Sequence, residues 1–250
     1  MQHGDEDIDP TKVFLSDQKP ASTELHASGA PKVNHHLIQS ISSTITIREL
    51  PHRGLSFQLW PAASTLVKLL DFHRSHPTEG PLAPLFAQSR PLKILEIGSG
   101  TGLVGIAAAV TLGATVTVTD LPNVIENLQY NLEANADLLT THNGVVRPEA
   151  LRWGIASDAE GLGREFDLVL GSDLVYHEHL YEPLLRTLKW FLCAEKETVF
   201  VMSHLRRWKK EAAFFKKARK LFDVAILYRE EPSAGSRIGV LIYRFNKKSS

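Results

Sequence analysis

The sequence predicts an α/β fold, one mostly parallel sheet with helices on both faces, and three observations predict it. Lys93–Ile97 is a short apolar run that stops at glycines and passes into a segment, Leu103 to Leu112, that is apolar on nearly every helical face. Ala114–Thr119 is strongly β-branched, ends at Asp120 and is followed by another helical pattern, so strands and helices alternate along the chain. The last two strand-like stretches, near 223–230 and 237–245, follow each other without a helix and are expected to pair antiparallel.

Taken in order, residues 1–38 mix charges with Ser, Pro and Gly and show no sustained period, which reads as a flexible lead-in. Residues 39–250 are expected to form a single domain, with an N-terminal hairpin and helix over 43–75 and a core over 92–246. Ser43–Leu50 alternates apolar and polar positions, Pro51-His52-Arg53-Gly54 is a turn, and Leu55–Leu59 repeats the alternation, so these two runs are expected to form the hairpin. Pro61 suits the first turn of a helix carrying Leu66, Val67, Leu69, Leu70 and Phe72. A proline-bearing connector over 76–91 leads to the glycine-rich strand. After Asp120 a helix is expected from about Pro122 to Asn135, then a strand from Gly144 to Leu151 that must lie at a sheet edge because it contains Pro148. Phe166–Gly171 is a buried strand, and a helix over 179–192, a strand over 198–203 and a helix over 207–221 precede the closing pair.

Composition narrows the class. Twenty-eight basic residues balance twenty-eight acidic ones, so no global field draws the chain to nucleic acid or to an anionic membrane. The single cysteine, Cys193, excludes an internal disulfide framework and points to a reducing, cytoplasmic location, with the nucleus also open. The acidic N-terminus is unlike a secretory or transit peptide, and the apolar runs fall short of the roughly 20 residues of a membrane span. The chain is expected to act as a monomer.

Ligands in open α/β sheets sit beyond the carboxyl ends of the strands. Four places qualify: the glycine loop Gly98–Gly102, Asp120, Leu151-Arg152-Trp153-Gly154, and Ser172-Asp173-Leu174-Val175-Tyr176. Gly100-Thr101-Gly102-Leu103-Val104-Gly105 fits the dinucleotide pattern, in which glycines admit a close backbone approach and the helix start offers unpaired N–H groups. Asp120, twenty residues past Gly100, can accept from both hydroxyls of a ribose; capping the next helix is its other reading. Glu96, two residues before Gly98, can accept from a ligand ammonium or pin the loop. NAD has no ammonium in that region and S-adenosyl-L-methionine has one. The only Tyr-x-x-x-Lys, Tyr243 to Lys247, falls in the last strand and tail, which disfavours a short-chain dehydrogenase.

As a set, Glu96–Gly105, Thr119-Asp120-Leu121-Pro122 and Asp167–Tyr176 resemble the motifs of the seven-β-strand lysine methyltransferases, the family 16 methyltransferases, and within them the methyltransferase-like 21 type. Leu59–Ala63 and Leu151–Gly154 are similar to two further motifs of that group. The resemblance implies a Rossmann-like, seven-stranded fold over about 43–245, S-adenosylmethionine as cofactor, and methyl transfer to a lysine of a protein substrate of chaperone or ATPase type. It implies that Trp60, Glu96, Gly98, Ser99, Gly100, Gly102, Asp120, Trp153 and Ser172 serve the cofactor, with Ser172 acting through its backbone. For each tryptophan alone, core packing is the competing reading.

Asp173 and Tyr176 match the family's Asp-x-x-Tyr motif beside the transferable methyl. Lysine is protonated at neutral pH, with a free pKa of about 10.4, and must shed its proton before it can attack. Asp173 is expected to attract and orient the ammonium, and Tyr176 to wall the channel or contact the amine; helix capping and ring packing compete for these two. Asp-Leu-Val-Tyr lacks the prolines of the nucleic-acid amino methyltransferases. The basic run Arg206, Arg207, Lys209, Lys210, Lys216, Lys217, Arg219 and Lys220 reads as the solvated face of an amphipathic helix, or else as a docking face. His177 and His179 are too close in sequence to make a good metal pair, and no metal is expected. A small-molecule or N-terminal amine methyltransferase, and a cofactor-binding protein without activity, stay open as alternatives.

Overall fold

The structure, a computed structural model, describes residues 30–86, 91–232 and 239–248. Most of the expected lead-in, residues 1–29, lies outside the described residues. The sheet has seven strands: β3 (Lys93–Ile97), β4 (Thr115–Asp120), β5 (Val145–Ala150), β6 (Leu168–Ser172), β7 (Val199–Leu205), β8 (Phe222–Arg229) and β9 (Val240–Lys247). Their spatial order is β5-β4-β3-β6-β7-β9-β8. The first five run parallel, and β9 inserts antiparallel between β7 and β8. β5 stands at the edge, so Pro148 needs no amide for a further neighbour.

Two cores follow from strand alternation. Ile94, Val116, Val118, Leu168 and Leu170 point to one face, where α1 (Pro61–Ser75), α2 (Leu103–Leu112) and α3 (Ile125–Glu133) pack, followed by the short α4 (Ala136–Thr141). Leu95, Ile97, Val169, Phe200 and Met202 point to the other, covered by α5 (Ala156–Leu162), α6 (Tyr181–Leu192) and α7 (Ala212–Leu221). The parallel strands are buried on both faces, as their unbroken apolar runs require.

The hairpin differs from the expected one. β2 (Ser43–Glu49) pairs antiparallel with β1 (Lys32–Ile38), inside the stretch read as lead-in, and Leu55–Phe57 is a 3₁₀ turn. The periodicity of β1 is inverted: Val33 and Leu37 face solvent while Asn34, His36 and Ile38 point inward, so no apolar alternation marked it. Polar anchoring adds to the buried Ile38, Ile45 and Ile47. Asn127, Asn131 and Asn135, four residues apart along one helical face and all buried, hydrogen-bond the edge of β2. Asn135 bonds both backbone groups of Thr46 (2.9 and 2.8 Å), and Asn131 accepts from Arg48 N at 2.8 Å and donates to Arg48 O at 3.2 Å. Asn131 also donates to the Thr101 carbonyl at 2.9 Å, which ties the hairpin to the glycine loop. The basic segment differs too: residues 209–211 form a 3₁₀ turn and the helix begins only at Ala212.

Candidate active site

The carboxyl ends of β3, β4 and β6, with the loops after β5 and β7 and the segment Leu55–Trp60 ahead of α1, line a cleft of about 280 Å³ that opens to solvent. Trp60, Glu96, Gly98, Ser99, Gly100, Asp120, Trp153, Ser172, Asp173 and Tyr176 all line it. Gly102 does not. It is the left-handed residue (φ 86°) that turns the chain into α2, and a Cβ there would meet Leu128 at 2.9 Å.

The loop is held from below. Ser99 N donates to Thr119 O at 2.8 Å and Thr119 N donates to Ser99 Oγ at 3.0 Å, locking the ends of β3 and β4 together. At Gly98, φ is 61°, and a Cβ would lie 2.7 Å from Leu174 and 2.9 Å from the Trp153 indole. The bare backbone therefore lets Trp153 and Leu174 close over this turn. Asp120 accepts from Gly100 N and from Leu121 N, each at 2.8 Å. It caps no helix, since α3 begins four residues beyond Leu121 with no side-chain cap. Burial raises the Asp120 pKa against these two amides and Ser56.

Glu96 is the unusual group. Its strand alternation places it under α2, where the missing side chain of Gly105 makes room; a Cβ on Gly105 would sit 2.2 Å from Val118 and 2.7 Å from Glu96 Oε2. Glu96 is 1% exposed, and neither carboxyl oxygen makes a hydrogen bond of good geometry, although Ser99 and the Gly105 amide stand close to it. Burial pushes its pKa up to about 8 against the pull of Ser99 and the Gly105 amide, and the charge on Asp120 adds to the rise. A buried carboxyl that lacks a hydrogen bond of good geometry, on the wall of a cavity beside a glycine turn, fits a ligand that brings a cation to that wall. An adenosyl group carrying an amino-acid ammonium satisfies Glu96, the glycine turn and Asp120 together. NAD leaves Glu96 orphaned.

Asp173 is already paired. Its Oδ1 accepts from Leu205 N at 2.9 Å and from Arg207 Nη1 at 3.2 Å, and its Oδ2 accepts from Arg207 Nη2 at 3.0 Å. The residue is 8% exposed, adopts a left-handed φ of 53°, and caps no helix. Tyr176 is half-buried with its ring 4.8 Å from that of His177, and burial with the nearby charge of Asp120 raises its pKa, so it carries its proton at neutral pH. His177 and His179 stack on each other in the open, and among the described residues no group of three or more His, Cys, Asp or Glu is placed to hold a metal ion.

Sequence reasoning missed Arg207. It follows β7, so the strand-end rule that located the other groups points to it as well, but its place in a basic run disguised it as surface. Its side chain is only 6% exposed and sits 5.3 Å from the Trp60 ring. Ser56, His177, Leu180 and Trp208 line the cavity too, on segments with no motif to announce them.

A family model described as lysine methyltransferase matches residues 39–221. The chain is 34% identical over 194 residues to a Mus musculus protein named protein-lysine methyltransferase METTL21E, covering 76% of this chain and 71% of the relative. It is 30% identical over 233 residues to a Danio rerio protein named protein N-lysine methyltransferase METTL21A, covering 92% and 93%. Among solved structures, a SAM-dependent methyltransferase from Agrobacterium tumefaciens superposes with a TM-score of 0.55 at 16% identity, over 96% of this chain and 80% of that one.

Proposed function

The chain belongs to the lysine methyltransferase family, and on that premise we propose that its cleft transfers a methyl group from S-adenosylmethionine to a lysine side chain of a protein. The observation that carries the reading is the buried Glu96 carboxyl, which makes no hydrogen bond of good geometry, on the wall shared with Gly98, Gly100 and Asp120.

Each residue has a task in this reading. The Gly98–Gly100 turn takes the ligand against bare backbone, Asp120 accepts from the ribose hydroxyls with the lone pairs its two amides leave over, and Glu96 receives the ammonium. Trp153 and Trp60 border the cleft with apolar ring surface, and Ser172 contributes backbone. S-adenosylmethionine held by these residues would supply an electrophilic methyl on a sulfonium sulfur, with the thioether as leaving group and a neutral lysine nitrogen as acceptor. Tyr176 keeps its phenolic proton at neutral pH, so its oxygen can accept from the incoming N–H while its ring walls the approach. The cleft contributes chiefly by alignment, which for a displacement at carbon supplies much of the rate.

The chaperone or ATPase class of partner is supported by the methyltransferase-like 21 motifs alone. A monomer in a reducing, cytoplasmic setting is our reading of the single, half-buried cysteine and the balanced charge; no helix of the described residues is long and apolar enough to cross a membrane. The test is transfer of labelled methyl from S-adenosylmethionine into a cell extract, followed by protease or nuclease. Label released by protease and recovered as methyllysine is expected. Label that only nuclease removes would overturn the protein substrate.

A further inference from the structure

Asp173 stands where a substrate ammonium was expected to be greeted, yet its carboxylate is taken up by this chain. Leu205 N and both terminal nitrogens of Arg207 occupy its two oxygens at 2.9 to 3.2 Å. Arg207 is itself fixed: Nη1 also donates to Leu205 O at 3.2 Å, and its backbone N–H donates to Glu211 Oε2 at 3.2 Å. Glu211 is fully buried and engaged by His204 Nε2 at 3.0 Å, and the other nitrogen of His204 stands 3.7 Å from Asp173 Oδ1. Residues 204–211 are thus folded around the Asp173 carboxylate. A bidentate pair with side chains 6% and 2% exposed is not broken cheaply, because parting it strands a charge away from water.

We propose that Arg207 is a positioning residue for methyl transfer: it holds Asp173 neutralised, so that the acceptor mouth receives lysine as the uncharged amine, and Asp173 acts through Arg207 rather than on the lysine. This rests on the methyltransferase reading above. At pH 7.5 only about one lysine in a thousand is neutral, from a free pKa of about 10.4. A bare carboxylate at the mouth would stabilise the ammonium and make that fraction smaller, drawing substrate in while holding it in the unreactive form. An ion pair with no net charge avoids that penalty. The same guanidinium, 5.3 Å from the Trp60 ring, braces the mouth against the segment ahead of α1.

The experiment is a double-mutant cycle with Asp173→Asn, Arg207→Gln and the two together. Thermal unfolding reports which variants fold, and rates of labelled methyl transfer into a protein extract are measured across extract concentration to separate kcat from KM. Each single variant, left with one buried charge, is expected to lose at least tenfold in kcat. Arg207→Gln should lose it with no rise in KM, because the Asp173 carboxylate, freed of its guanidinium at the cavity wall, holds the substrate ammonium. The double variant, a neutral hydrogen-bonded pair, is expected to return to within about threefold of wild type. A double variant as slow as Asp173→Asn would overturn the proposal and make Asp173 a direct ligand of the lysine, as would an Arg207→Gln enzyme with unchanged kcat. Wild-type protein that binds S-adenosylmethionine but labels no protein would sink the underlying reading, and this proposal with it.

Discussion

Replacing Glu96 with Gln separates a functional carboxyl from a merely buried one. In the folded protein the group ionises near pH 8 instead of at its ordinary 4.5. Between these values the folded state holds a proton that the unfolded chain has released. Stability therefore falls as pH rises through that window, by up to tenfold in the unfolding constant per unit, and levels off above pH 8. Across the window the penalty approaches about 5 kcal/mol. Glutamine keeps the shape and carries no charge, so Glu96→Gln should match wild type near pH 4.5 and gain steadily on it up to pH 8; because Asp120 is retained in both proteins, its own titration largely cancels in the difference. Ligand binding should show the reverse pattern. To receive an ammonium, Glu96 must release its proton, so wild-type affinity for S-adenosylmethionine should climb about 25-fold between pH 6 and 8, even with half the ligand's amino group deprotonated at pH 8. It should then fall as the ligand's own amino group, pKa about 8, deprotonates. The variant should bind weakly and without that slope. Calorimetry in two buffers of different ionisation enthalpy should find close to one proton released per ligand at pH 6.5. Equal pH slopes in wild type and Glu96→Gln, for both stability and binding, would refute the assignment.

Three further perturbations test the surrounding design. Asp120→Ala removes the proposed ribose acceptor and should weaken S-adenosylmethionine binding about 100-fold, at about 1.5–3 kcal/mol for a hydrogen bond to a charged group; calorimetry showing less than a threefold change would remove Asp120 from the site. Gly105→Ala should lower the melting temperature despite the better helix propensity of Ala, since its Cβ would collide with Val118 and press on Glu96. An unchanged or higher Tm would mean that α2 can lift away at no cost. Asn131→Ala removes the acceptor of the Arg48 amide and a donor to the Thr101 carbonyl, leaves the Arg48 carbonyl only the 3.4 Å bond from Asn127, and should cost about 2–4 kcal/mol in denaturant titration. A cost below about 1 kcal/mol would mean that the hairpin does not depend on the asparagine ladder.

Short-range pattern was enough to read the sheet and most of the cleft wall. Parallel strands buried on both faces must be written as continuous apolar runs, and their carboxyl ends fall at fixed places, so Glu96, Gly98, Asp120, Trp153 and Ser172 were legible from short-range pattern. Pro148 fixed the sheet edge by the amide it lacks. Tertiary structure alone decided three things. β1 turns Val33 and Leu37 outward and is held through β2, whose edge is bonded by asparagines about eighty to ninety residues away, contacts between distant polar groups that leave no periodicity. Gly102 belongs to the turn into α2 rather than to the cleft wall. Arg207, one cation among eight in a basic run, is drawn inward because the buried carboxylate of Asp173 needs a countercharge, and only the folded chain brings residues 34 positions apart within 3.0 Å. Local pattern records which faces are buried; which charge meets which depends on contacts between strands, and a linear sequence does not spell those out.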